Sequence, residues 1–120
     1  MRATVRSARA RGALPLHRVR ARLGLSQETL AQALGVSART IVRWENHTSL
    51  PSRLARDRVE RLAEVLRLGE QIFPGSALAS WFQTPNPTLR DRTPLEVLAN
   101  RGGLDEVYHL LGRMAWGIPT

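Results

Sequence analysis

An all-α fold is predicted by three features of this 120-residue chain. Apolar residues recur at helical spacing, most plainly at Ala55, Val59, Leu62, Ala63 and Leu66, the stripe that a helix buries against a core. Capping side chains stand in front of such stretches, at Ser26, Ser37, Ser52, Ser76 and Thr93, where an oxygen accepts from the free amides of a first turn. Glycine and proline close them, at Gly24, Gly35, Pro74 with Gly75, Gly102 with Gly103, and Gly117, because these residues end or turn a helix.

The first helix is expected over residues 15–23, with Leu16, Val19 and Leu23 on one face and Arg18, Arg20 and Arg22 adding charge. A second runs over residues 26–34 with Ser26 as N-cap and Gly35 at its end; Ser37 then opens a third over residues 38–46. Leu30, Ala31, Leu34, Val36, Ile41 and Trp44 fall where two crossing helices bury them, and Gln27, Ala38, Arg39, Thr40 and Arg43 stay outside. This is the pattern of a helix-turn-helix, whose second helix lies in the major groove of DNA. Arg39 and Arg43 are one turn apart on the outer face, and arginine pairs bidentately with guanine O6 and N7. On the residues alone, an ordinary helical hairpin in a small domain is the alternative.

A long amphipathic helix is predicted over residues 53–68, bridging two halves of the chain, with Gly69 as a break and a brief resumption at Ile72 and Phe73. Residues 77–82 form a short helix ending in Trp81 and Phe82, and Pro85 and Pro87 stiffen the turn that follows. Thr93-Pro94-Leu95-Glu96 is a capping box that opens residues 94–99, with Leu95 and Leu98 inward. The last helix is expected from Asp105 to about Trp116, its apolar face built from Val107, Leu110, Leu111, Met114 and Ala115.

The net charge is +8, and all 18 basic residues are arginine. Through Leu68 there are 14 arginines against 5 acids, and from Gly69 onward 4 against 5. One half thus carries the whole positive field, which suits a polyanion whose phosphates release counterions when neutralised. Residues 1–12 read as a basic segment disordered on its own, either a solvated tail or an arm that follows phosphates. The chain has no cysteine, so disulfides and thiolate metal sites are excluded and a reducing cytoplasm is the expected setting. No apolar run is long enough for a membrane span or a signal peptide. His17, His47 and His109 lie in separate segments without metal-ligand spacing. With no nucleophile arrangement, glycine-rich phosphate loop or carboxylate pair, neither a catalytic residue nor a cofactor is expected. Glu45, within the third helix, is expected to orient a neighbour or support packing.

Residues 19–51 resemble the Xre family of phage-repressor-like DNA-binding domains, through LGLSQETLAQALGVSARTIVRWEN and the later Leu50-Pro51-Ser52. The resemblance implies that Gln27 holds a phosphate or a base edge, that Ala38, Arg39 and Arg43 read bases, and that Ser37 and Thr40 touch the DNA backbone. His47 departs from it, standing where that family most often has glycine. Downstream, Trp81-Phe82-Gln83-Thr84-Pro85-Asn86-Pro87, then Arg92-Thr93-Pro94-Leu95-Glu96-Val97-Leu98, then Leu110-Leu111-Gly112-Arg113-Met114 with Gly117-Ile118 resemble the toxin-binding domain of Xre/ParS/MbcA-type antitoxins.

That resemblance implies an antitoxin paired with a RES-domain toxin, an enzyme that consumes NAD. The antitoxin blocks the toxin's active site, and the complex represses its own promoter by binding operator DNA. The implied domains are a basic arm over residues 1–12, a DNA-binding domain over 13–51, and a toxin-binding and dimerisation domain over 52–120. A homodimer follows from two-fold operators. A small second domain buries its aromatic residues poorly, so Trp81, Phe82, Trp116 and Ile118 are expected in an exposed apolar patch. The segment Gly117, Ile118, Pro119 and Thr120 is the one expected to enter a toxin's cleft, and Asn86 and Pro87 are expected to be structural. Core packing of Trp81 and Phe82 is the alternative. Two other functions stay open: a stand-alone repressor whose second half only dimerises, and an adaptor that no longer binds DNA.

Overall fold

A computed structural model describes residues 16–117. The basic segment expected over residues 1–12, and Ile118, Pro119 and Thr120, lie outside the described residues. The helices are α1 (Leu16–Leu23), α2 (Gln27–Leu34), α3 (Ala38–Glu45), α4 (Arg53–Ile72), α5 (Ala77–Phe82), α6 (Pro94–Leu98) and α7 (Gly103–Trp116), with a 3-10 turn at Pro87–Leu89. Among the described residues there is no strand, only an isolated bridge between Asn86 and Arg92.

Most of the predicted caps form. Ser26, Ser37 and Ser52 accept from the amides of Thr29, Thr40 and Ala55 at 3.0, 3.1 and 3.2 Å. Thr93 and Glu96 make the reciprocal capping box, each bond 3.0 Å, with Pro94 in the first helical position. Ser76 is the exception. It is itself helical and makes no side-chain cap bond, so α5 is held by packing rather than by its start.

Gly69 does not break α4, which runs unbroken to Ile72. A Cβ on Gly69 would stand 2.5 Å from Leu78 Cδ1. The glycine therefore lets α5 close on α4, a contact that offsets its low helix propensity. The buried stripe of α4 is Ala55, Val59, Leu62, Val65 and Leu68, with Ala63 and Leu66 only half-buried. It is rotated from the predicted face because α7 is the principal partner of α4, while α1, α2 and α5 also pack on it.

α7 begins at Gly103, earlier than expected. A Cβ there would fall 1.6 Å from the Val97 carbonyl oxygen, so only glycine admits this approach of α6. Leu104, Val107, Leu110 and Leu111 are buried, whereas Met114, expected on the apolar face, is 39% exposed. One cluster of buried side chains runs through both halves, from Leu23, Leu30, Leu34 and Ile41 to Leu62, Val65, Leu78, Phe82, Leu98 and Leu111.

Candidate functional site

The turn of the helix-turn-helix is set by Gly35 at φ +72° and closed by the Val36 amide on the Ala31 carbonyl at 2.9 Å. That geometry leaves α3 with Ile41 and Trp44 buried and Arg39, Val42 and Arg43 outward. Among the described residues, the side chains of Arg39 and Arg43 have neither an ion-pair nor a hydrogen-bond partner, and the Arg43 carbonyl accepts from Thr48. Ser37 and Thr40 flank the start of α3, their hydroxyls 2.9 Å apart. Ala38 is half-buried against the core edge and presents less to the outside than its neighbours. α3 stops at Glu45, one residue earlier than predicted. His47 then takes φ +61°, the left-handed conformation for which glycine is the easier residue.

Gln27 is not free. Its Nε2 donates to Glu45 Oε1 at 2.9 Å, while Arg20 donates to both oxygens, Nε to Oε2 at 2.9 Å and Nη2 to Oε1 at 3.3 Å. The Glu45 side chain is 8% exposed. Burial pushes its carboxyl upward, but the hydrogen bonds from Arg20 and Gln27 and the Arg20 charge outweigh it and hold Glu45 below its ordinary value of 4.5. Arg20 thus ties α1 to the end of α3, a role that its place between Arg18 and Arg22 in the sequence did not reveal.

A second outward surface lies at the end of α7. Trp116 is 62% exposed, and its ring rests on Gly112, where a Cβ would come within 3.0 Å of it. Gly117 follows at φ +68°, its amide donating to the Arg113 carbonyl. Arg113 Nε is buried without a hydrogen-bond partner among the described residues.

Phe82 does not join this surface, which corrects the expected patch: it is fully buried. Trp81 is half-buried, stacked on Phe73 at 5.4 Å and edge-on to Phe82 at 5.2 Å. The argument from a small domain fails because the second half does not build its own core. Phe82 packs in the core that it shares with α1 to α4. Asn86 caps the 3-10 turn, accepting from the Thr88 amide at 2.9 Å. Leu50 and Leu54, at 66% and 80%, are exposed beside the start of α4; sequence reasoning gave them no role. A cleft of about 570 Å³ between α2, α4 and the α6–α7 turn is lined by Arg58, Arg61, Arg101, Asp57 and Asp105. Its charges are largely engaged internally, Arg58 on the Leu34 carbonyl and Arg61 on Asp105 and the Tyr108 ring.

Comparison with known proteins covers the segments that carry both surfaces. Residues 68–117 match the Xre/MbcA/ParS antitoxin C-terminal toxin-binding domain, and residues 16–73 match a helix-turn-helix family. Mycobacterial cidal antitoxin MbcA of Mycobacterium bovis, and likewise that of Mycobacterium tuberculosis, is 30% identical over 97 residues, which is 81% of this chain and 85% of the relative. The chain belongs to the Xre/MbcA/ParS antitoxin family. The fold agrees: the crystal structure of the M. tuberculosis MbcT–MbcA toxin–antitoxin complex contains a chain matched with a TM-score of 0.64 at 28% identity, over 90% of this chain and 96% of that one. In the antitoxin fold of this family, α1 to α4 therefore carry the helix-turn-helix, and Trp116 falls at the end of the segment that matches the toxin-binding domain. No helix among the described residues is long and apolar enough to cross a membrane.

Proposed function

We propose that this antitoxin binds and neutralises a toxin and represses transcription of its own operon. In this reading residues 13–51 bind operator DNA, and residues 52–120 hold the toxin and pair two copies. Arg39 and Arg43 take base edges. Ser37, Ala38, Thr40 and Gln27 line the approach to the duplex. Trp116, the exposed edge of Trp81 and the segment from Gly117 to Thr120 meet the toxin. The toxin is a RES-domain enzyme that consumes NAD, and its inhibition comes from a blocked active site.

One observation carries the reading: a single chain joins the unpaired arginine face of α3 to a segment that matches a toxin-binding family. The structural relative, MbcA, was itself crystallised with the toxin MbcT. A stand-alone repressor is the second reading; the burial of Phe82 and the stacked setting of Trp81 fit it, whereas the exposure of Trp116 does not. The deciding experiment recovers tagged chain from its own cells and assays what comes with it. A near-stoichiometric enzyme that depletes NAD once freed supports the antitoxin reading, and its absence favours the repressor. Removing residues 117–120 is then expected to release the enzyme while leaving DNA binding intact.

A further inference from the structure

Glu45 sits where a carboxylate is poorly placed. It ends α3, where the helix dipole disfavours negative charge, and its side chain is almost wholly buried. A buried ion pair is weak grounds for net stability once desolvation is counted. What this carboxylate achieves is directional. Gln27 donates to Oε1 from one side, and Arg20 occupies both oxygens from the other. An ionised carboxylate accepts and does not donate. The Gln27 amide therefore has one orientation, because turning it over would set its carbonyl oxygen against Glu45 Oε1. Among the described residues, one N–H and the carbonyl oxygen of that amide are left without a partner.

We infer that Glu45 is a positioning residue of the DNA-binding face: it fixes the polarity of the Gln27 amide, so that the remaining N–H is offered at one set place to a DNA acceptor, a phosphate oxygen or a purine N7. The inference rests on the DNA-binding reading above. Arg20 holds the carboxylate in place, and its own positive charge offsets the negative one near the duplex.

The test begins with wild-type chain selecting from a pool of short random-sequence duplexes, and uses the duplex it recovers. Glu45→Gln keeps the shape but lets two amides pair in either sense, and Gln27→Met removes the amide. Each is expected to lose about tenfold in affinity, and the double variant no more than either alone. Glu70→Gln, which removes the exposed carboxylate paired with Arg22 and leaves the Gln27 network untouched, stays close to wild type. A loss spread over all sequences identifies the acceptor as phosphate, and one confined to a single base pair identifies a purine; both support the inference. Additive losses, or Glu70→Gln falling as far as Glu45→Gln, overturn it. Failure of the wild type to select any duplex overturns the DNA-binding reading and this inference together, and is seen before any variant is made. An independent measurement needs no variant and no DNA. In the free chain the two Nε2 protons of Gln27 should exchange with water at clearly different rates by NMR, and equal rates overturn the inference.

Discussion

The two halves of this molecule treat the starts of their helices in opposite ways. In the first, α1, α3 and α4 have no acid in the first turn and carry Arg18, Arg39, and Arg53 with Arg56 there instead; only α2 has an acid, Glu28. In the second, α5 has no charge in its first turn, while α6 has Glu96 and α7 has Asp105 and Glu106. Positive charge at a helix start opposes the dipole, and negative charge there is favourable. The second half follows the rule that stabilises a helix in isolation. The first gives up some of that stability and keeps a basic face, which is what a polyanion-binding surface needs. What the second half exposes is apolar instead, at Met114 and Trp116.

The hardest way to break this comparison is to cut the core that joins the halves. Phe82→Ala is expected to lower stability by about 3–5 kcal/mol, read by denaturant unfolding in a single transition that includes α1 to α3. Two separate transitions would make the halves independent units. Arg39→Ala comes next, expected to lose about 1–3 kcal/mol on the selected duplex with the melting temperature unchanged. An equal loss on random DNA would reduce Arg39 to a phosphate contact. Thr93→Ala removes the capping box of α6 and should cost about 1 kcal/mol of stability with DNA affinity untouched. Arg53→Glu sharpens the contrast most directly: it should raise stability by about 0.3–1 kcal/mol while weakening DNA binding, opposite signs from one substitution.

The smallest effect is read as a direction. Each half holds one carboxyl below the ordinary 4.5, Glu45 and Glu96. Glu45 is lowered despite burial by Arg20 and Gln27 from other helices, and Glu96 by hydrogen bonds from Thr93 in its own capping box. A lowered folded value means that each adds stability above pH 4.5, and that this stability is lost as the pH falls through the folded value. NMR titration should find both below 4.5, with Arg20→Gln raising Glu45 and leaving Glu96 where it was.

Local chemistry made the helix starts legible. Ser26, Ser37, Ser52 and Thr93 cap because the bonds they make span only three residues, and Gly35 turns for an equally local reason. The departures are all tertiary. Gly69 looks like a break until Leu78 is known to press on it. Met114 continues the period of α7, but the angle at which α4 lies decides which residues of that period are covered. The size of one half points Phe82 to the surface and leaves core packing as the alternative; the core, which runs through both halves, decides for burial. At the candidate site the outward arginines followed from helical periodicity. The hold of Arg20 and Glu45 on Gln27 did not, because it joins three helices and the sequence separations are 25 and 18 residues.

The unbroken α4 also acts as a ruler. Its 20 residues span about 30 Å, and the same rod packs on α1 and α2 and on α7. Among the described residues this helix packs on the elements of both halves, so the spacing and relative heading of α3 and the end of α7 belong to it. If two copies sit on a palindromic duplex, the distance between their α7 ends is dictated by the period of the DNA. A partner that bridges those ends would measure the operator, favouring one half-site spacing over another without touching a base.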